Sequence, residues 1–143
     1  MFTMTFKDAK AGFFDREKVI HSVDRATRSV YSRFGAFVRK RAKTSIRPRK
    51  GTSLPGQPPF SHAGLLRRFI FFAWDIERRS VVIGPTLINT PTGAPEVLEH
   101  GGETEIITRR ERRRVFIQPR PYMGPAFAAE LPTLPKLWRD SVR

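Results

Sequence analysis

The run from Asp15 to about Ser45 constrains this chain more than any other stretch, because its length and period together specify a helix. At 100° per residue, Val19, Val23, Ala26, Val30, Phe34 and Phe37 share one narrow stripe, which Ile20, Thr27, Tyr31 and Val38 widen on one side. The remaining arc holds Lys18, Arg25, Arg28, Arg33, Arg39, Lys40 and Lys43 with no acid among them. Asp15, after Phe13-Phe14, is an N-cap type whose carboxylate suits a helix N-terminus. Pro48 ends the run by driving Arg47 out of helical space. About thirty residues at ~1.5 Å each give a rod of roughly 45 Å, the width of a small domain. One face must pack, while the other presents a row of like charge. That row reads either as a solvated face or as a contact for an acidic partner or DNA. The candidates for such a contact are Arg25, Arg28, Arg39, Lys40, Lys43, Arg47, Arg49 and Lys50.

The charge balance bears on that choice. The 143 residues carry 27 Lys and Arg against 13 Asp and Glu, a formal net charge of +14. The excess is uneven: residues 1–50 hold 14 cations and four acids, residues 51–143 hold 13 and nine. Such a basic half suits nucleic acid, an acidic protein surface or, least well, a membrane surface. The longest apolar run, Phe69–Trp74, is far short of a membrane span, and the first residues show no signal-peptide core. A soluble, unprocessed chain without a membrane partner is expected. The absence of cysteine excludes disulfides, thiolate metal sites and a Cys nucleophile, and fits a cytosolic setting.

Length predicts one folded domain, residues 15–143, preceded by an arm, residues 1–14. In the arm, Phe2, Met4 and Phe6 alternate with threonines, a strand-like pattern that suits packing on its own domain or on a neighbouring subunit. Arg47–Phe60 holds four prolines and two glycines and reads as an extended loop, longer than most within a compact domain, that is either a binding loop or a mobile one. Ser61–Arg67 reads as one helical turn. Arg68–Trp74 and Val81–Ile83 read as an antiparallel pair joined by the charged Asp75–Ser80. The first of these strands is apolar on both faces, so each face needs cover, from the long helix on one side and from a second helix or another subunit on the other. Thr86–Ala94 is loop, Pro95–Glu99 a short helix with Pro at N1, and Thr104–Thr108 with Val115–Gln118 a second strand pair. The tip of that pair carries Arg109, Arg110, Arg112, Arg113 and Arg114, a cluster that either meets negative charge or stands in solvent. Met123, Phe127, Leu131, Leu134 and Trp138 recur at helical spacing, but Pro132 and Pro135 interrupt them, so a kinked helix is expected to cover the sheet's second face. The fold class that results is α+β: a long N-terminal helix and a kinked C-terminal one on a four-stranded, mainly antiparallel sheet with long loops.

Catalytic and cofactor patterns are missing. There is no glycine-rich phosphate loop, no paired-His metal spacing and no strained nucleophile turn. His21, His62 and His100 lie in different elements, and His100 beside Glu96 and Glu99 has no nucleophile or oriented partner in the sequence. No catalytic residue, metal, cofactor or small-molecule substrate is assigned. Helix-turn-helix, zinc-finger and ribonucleoprotein strand patterns are missing as well. Phe69, Phe71, Phe72 and Trp74 sit in so apolar a run that burial outweighs base stacking. Sequence-blind attraction to phosphate, weakened by salt, is what the cations could offer DNA.

Several short motifs, in order, resemble one family. Arg120-Pro121-Tyr122-Met123-Gly124-Pro125-Ala126-Phe127 and the following Leu131–Trp138 resemble the C-terminal signature of small tailed-bacteriophage minor tail, neck or tail-completion proteins of the head–tail connection. Upstream, the long helix, the Pro-rich loop, the Ala63-Gly64-Leu65-Leu66-Arg67 turn, the Val81-Val82-Ile83-Gly84 strand end and the Leu98-Glu99-His100-Gly101 turn are similar in sequence order, over roughly residues 15–142. The family often has Thr-Gly-Leu where Ala63-Gly64 stands, and an aromatic at the position of Leu98. The resemblance implies a non-enzymatic virion protein, assembled in the host cytoplasm as a homo-oligomeric ring, hexameric or dodecameric, between connector and tail proteins around the DNA channel. Heterologous ring contacts need two different patches on each subunit. Phe2, Met4 and Phe6 on the arm and Arg109, Arg110, Arg112, Arg113 and Arg114 on the hairpin are the candidates. Other classes stay open: a basic nucleic-acid-binding module without catalysis, and a small hydrolase or nuclease.

Overall fold

The computed structural model describes residues 15–86, 93–107, 111–139 and 141. Phe2, Met4, Phe6, Arg109 and Arg110 lie outside the described residues. Helix α1, Arg16–Ser45, starts at Asp15, whose Oδ1 accepts a hydrogen bond from the Lys18 amide at 3.1 Å. The Lys18 ammonium lies 3.0 Å from the same carboxylate, and together these hold the Asp15 carboxyl below its ordinary range. The helix ends at Ile46, already extended, two residues before Pro48.

Burial along α1 follows one ridge: Ala26, Val30, Phe34, Val38, Ala42 and Ile46, each four residues after the last. Four residues advance ~400° around a helix, so each step rotates the ridge by about 40°. Over its length the buried line therefore winds around the rod instead of holding one face. Phe37, expected inside a fixed stripe, falls off this winding line and is exposed. Val19, Ile20 and Val23, expected there too, are exposed because all of residues 15–23 are, no described element covering the first turns of α1; Val19 keeps 44 % of its surface.

Two groups of elements grip the rod. On one side lies a hairpin of β1, Ile70–Asp75, and β2, Ser80–Pro85, paired antiparallel with Phe72 opposite Ile83. Its inner face brings Ile70, Phe72 and Trp74 onto α1, with the Tyr31 and Trp74 rings 6.2 Å apart. The turn is closed by Asp75 Oδ1, which accepts from the Arg78 amide at 3.0 Å, with Arg79 left-handed at φ 48°. The C-terminal segment also packs on α1. It runs as α4, Met123–Glu130, a 3-10 turn, Leu131–Thr133, and α5, Leu134–Arg139. The expected kink falls at Pro132, where a proline inside a helix removes a backbone bond and crowds the preceding turn. Phe127 meets Phe34 edge-on at 5.5 Å, Trp138 meets Tyr31 edge-on at 5.9 Å, and Arg41 pairs with Glu130.

This arrangement corrects one expectation. The broken helix covers α1 and not the second face of the strands, so Phe71, Ala73 and Val82 on the outer face of β1–β2 stay exposed. A second difference concerns the sheet. The four antiparallel strands are present but form two separate hairpins. The second comprises β3, Gly102–Ile107, and β4, Arg112–Ile117, with Thr104 opposite Val115. It follows α3, Ala94–His100, which has Pro95 in its first turn as expected. A four-residue helix, α2, Leu65–Arg68, leads into β1. The buried centre joins Phe34, Val38, Ala42 and Ile46 to Ile70, Tyr122 and Ala126.

Gly35 sets the approach of β1–β2 to α1. A Cβ there would stand 2.8 Å from Val81 Cγ2 and 3.1 Å from the Phe72 ring. Alanine favours a helix interior over glycine by about 1 kcal/mol, whereas overpacking a seam typically costs about 1–3 kcal/mol. Val81 is stiff at χ1 and Phe72 is held by the hairpin, so the clash should win. Gly35→Ala is expected to lower the urea midpoint by about 1 kcal/mol equivalent, and Val81→Ala in the same chain to recover part of it. A raised midpoint in the single variant would show that the hairpin is not seated at Gly35.

Candidate functional site

The motifs of the C-terminal half converge on one carboxylate. Glu99, near the end of α3, accepts three backbone hydrogen bonds from the start of α4: Tyr122 at 2.9 Å and Met123 at 3.0 Å to Oε2, and Gly124 at 2.7 Å to Oε1. These are the amide groups that a helix N-terminus leaves without intrahelical partners, and a carboxylate also suits the positive end of the helix dipole. Around this contact the chain is cross-tied. The Arg120 amide donates to the Leu98 carbonyl at 2.6 Å, and its guanidinium donates to the carbonyls of Ser53 and Gln118. The Gly56 amide donates to the Pro119 carbonyl at 2.8 Å. Gly101, at φ +77°, could not carry a side chain, since a Cβ would lie 2.9 Å from the Pro119 ring. Three sequence-distant pieces, the Pro-rich loop, the end of α3, and the run from the exit of β4 into the start of α4, are thus locked to one another. Glu96 and His100 line a shallow cleft beside Glu99 and Tyr122, yet both Glu99 oxygens already serve the α4 amides.

Tyr122 is 1 % exposed, and its phenol is pushed up to about 12, first by burial and then by the neighbouring Glu99 charge.

The basic face of α1 divides into parts with different surroundings. Arg39 donates through Nε to the Ile70 carbonyl at 2.8 Å, and Lys43 reaches the Arg68 carbonyl at 3.4 Å. Both cations also lie over the exposed Phe71 ring, at 5.6 and 5.8 Å from its centre. The Lys43 ammonium is pushed below its ordinary value, first by burial and then by Arg39 and Arg67. These two residues therefore seal the root of β1–β2. Arg25 and Arg28 border an open cleft with Trp74 and Ile76, closed at one side by the Asp24–Arg79 pair at 3.3 Å. Lys40 borders a cleft with Phe37, Arg41 and Glu130. Past the helix, Arg49 lies over the Phe60 ring at 5.7 Å, Arg47 is bridged through its backbone to Phe60, and Lys50 is exposed. The expected row is not one continuous stripe.

The β3–β4 hairpin stands apart. Arg112, Arg113 and Arg114, expected at the tip, instead form the start of β4 and are all exposed, with Arg114 3.4 Å from Glu105 on the partner strand. On one face Ile106 lies opposite Arg113 and Thr104 opposite Val115, with Ile117 further along; on the other Phe116, 65 % exposed, lies opposite Glu103 and next to Arg114 and Glu105. A two-stranded hairpin without a packed face is marginal in water. At its base, a groove of about 430 Å³ runs between Gly51–Ser53, Pro59 and Phe60 on one wall and Val115–Gln118 on the other. The sequence gives no sign of this groove, because its walls lie more than fifty residues apart, nor of Glu99 as a cap, since a capping carboxylate is normally sought within its own helix. His21, His62 and His100 are exposed and far apart, and no cluster of three metal-ligating side chains occurs among the described residues.

No family model, curated protein or solved structure matches this chain.

Two predictions concern the Glu99 contact. Glu99→Ala leaves three amides at the α4 start without their acceptor and should destabilise the fold by about 2–4 kcal/mol, with Glu99→Gln in between, as read by denaturant unfolding. A loss below about 0.5 kcal/mol would show that the α4 start is held by other means. For Tyr122 the folded-state value lies above the ordinary 10.0, so the buried neutral phenol adds stability that is complete below pH 10 and is lost as pH rises toward 12. Tyr122→Phe should flatten that part of the stability–pH curve, whereas an unchanged slope would place the loss elsewhere.

Proposed function

We propose that this chain is a structural subunit of a tailed-bacteriophage virion, forming a homo-oligomeric ring, hexameric or dodecameric, at the head–tail junction, joining connector to tail around the DNA channel. The observation that carries this reading is the amount of apolar surface the fold leaves uncovered. Phe71 and Val82 on β1–β2, Val19, Ile20 and Val23 on the first turns of α1, and Ile106, Ile107 and Phe116 on β3–β4 are all exposed. So much uncovered apolar surface on one small domain suits a subunit completed by its neighbours. The motif order of the C-terminal half supports the phage assignment, and the Glu99 contact gives two of those motifs a shared structural reason. In this reading Arg112, Arg113 and Arg114, with Arg109 and Arg110 beyond the described residues, face the next subunit or ring. Phe2, Met4 and Phe6 provide the second patch. The exposed cations Arg25, Arg28, Lys40, Arg47, Arg49 and Lys50 face an acidic neighbour or the DNA.

A second reading, a nucleic-acid-binding module without catalysis, is favoured by the net charge of +14. Light scattering and negative-stain imaging of the purified protein separate the two. Discrete rings, alone or with connector or tail proteins, support the first. A monomer whose DNA affinity falls steeply with salt would replace it with the second. Replacing Arg109, Arg110, Arg112, Arg113 and Arg114 with Ser should leave unfolding unchanged within about 0.5 kcal/mol, as surface changes do, while reducing assembly. Normal joining of heads to tails by that variant would remove the hairpin tip from the interface.

A further inference from the structure

We propose that the groove beside β4 is a strand-acceptor site that takes the Phe2–Phe6 segment of a second copy of this chain. This rests on the reading of the chain as an assembling subunit and names the contact that joins one copy to the next. Three observations define the acceptor. Consecutive residues Val115–Gln118 line the groove while no residue of β3 does, so the side of β4 turned away from β3 faces it. That side of an edge strand presents unpaired backbone amides and carbonyls at alternate residues. The walls are mixed, with Phe60, Leu98, Val115 and Ile117 beside Thr52, Ser53, Gln118 and Arg120. Ser53, 4 % exposed, contributes to the wall, and its buried hydroxyl has no partner among the described residues. An open strand edge beside such a groove suits an extended peptide, with main-chain bonds to the edge and alternate side chains against Phe60, Leu98 and Val115.

Phe2-Thr3-Met4-Thr5-Phe6 has the required alternation, apolar on one side and hydroxyl-bearing on the other. Geometry then selects the copy. The segment joins the fold at Asp15, the start of α1, while the groove residue Phe60 is bridged to Arg47, just past the other end of that helix. Thirty helical residues separate those ends by about 45 Å. From Phe6 to Asp15 the chain spans at most about 32 Å when fully extended. A segment seated in the groove therefore comes from another subunit. The contact is heterologous, donor end to acceptor end, and repeats around a ring or along a filament.

The absence of cysteine makes this directly testable. Full-length Met4→Cys and Phe116→Cys chains are mixed and oxidised, with Val82→Cys, 56 % exposed and on the other hairpin, replacing Phe116→Cys in the control mixture. The mixture of Met4→Cys with Phe116→Cys should give a product of twice the 16.4 kDa chain mass containing both variants, and the control mixture should not. In parallel, Phe2→Ser, Met4→Ser and Phe6→Ser combined in one chain should lose the assembled form while keeping the unfolding midpoint. Rings that persist in the triple variant, without the crosslink, overturn the groove assignment and leave the ring reading standing. A wild-type chain that is monomeric under every condition overturns both.

Discussion

One helix face does the organising in this fold, and it is a line that turns as it goes. The four-residue ridge from Ala26 to Ile46 gives α1 a buried track that rotates around the rod, so elements on more than one side can share a single core. The hairpin β1–β2 takes one side, and α4, the 3-10 turn and α5 take another. The residues that fill the centre, Phe34, Val38, Ala42, Ile70, Tyr122 and Ala126, come from all three parts. Gly35 sits where the strands come nearest, and only the missing side chain lets them do so. Because the helix is gripped from more than one side, neither hairpin is enclosed. The outer face of β1–β2 and much of β3–β4 are left as surface.

A second lock holds the pieces that α1 does not reach. Glu99 gathers the first amides of α4, and Arg120 ties the exit of β4 to the end of α3 and to the Pro-rich loop. A half-buried carboxylate of this kind is stabilising because each of its oxygens is satisfied by donors that would otherwise lack partners. The Leu-Glu-x-Gly turn and the Arg-Pro-Tyr-Met-Gly run thus act as one device. Gly101 is needed for its backbone angle and for the room it gives Pro119. The long loop from Arg47 to Phe60 is ordered by the same network and forms one wall of the groove beside β4. The acceptor groove is a by-product of that lock: holding the loop against the base of the hairpin leaves the far edge of β4 open.

The elements themselves were legible in the sequence. Periodicity and capping placed α1 and its limits, turn residues placed both hairpins, and the two prolines placed the break near Leu131. Their assembly was less so. A fixed 100° projection puts Val19 and Val23 with the core, but periodicity cannot say how far along the rod partners reach, and residues 15–23 are exposed on every side. Alternation within a strand says that both faces of Phe71–Phe72 are apolar without saying which neighbour covers them. Here the broken helix went to α1, where Phe34 and Tyr31 offered aromatic partners, and left Phe71 to Arg39 and Lys43. The row of cations was visible as a row, yet two of its members are spent on carbonyls and a ring. Long-range contacts such as Glu99 to Gly124 leave no local pattern to find.

Hydrogen exchange on the full chain, compared between dilute and concentrated protein, tests most directly whether the open faces are built for neighbours. The account predicts that backbone amides of β3–β4 exchange rapidly when dilute and gain strong protection on assembly, while the centre of α1 stays protected throughout. Hairpin amides as well protected in dilute monomer as those of Val30–Ala42, and unchanged by concentration, would contradict it.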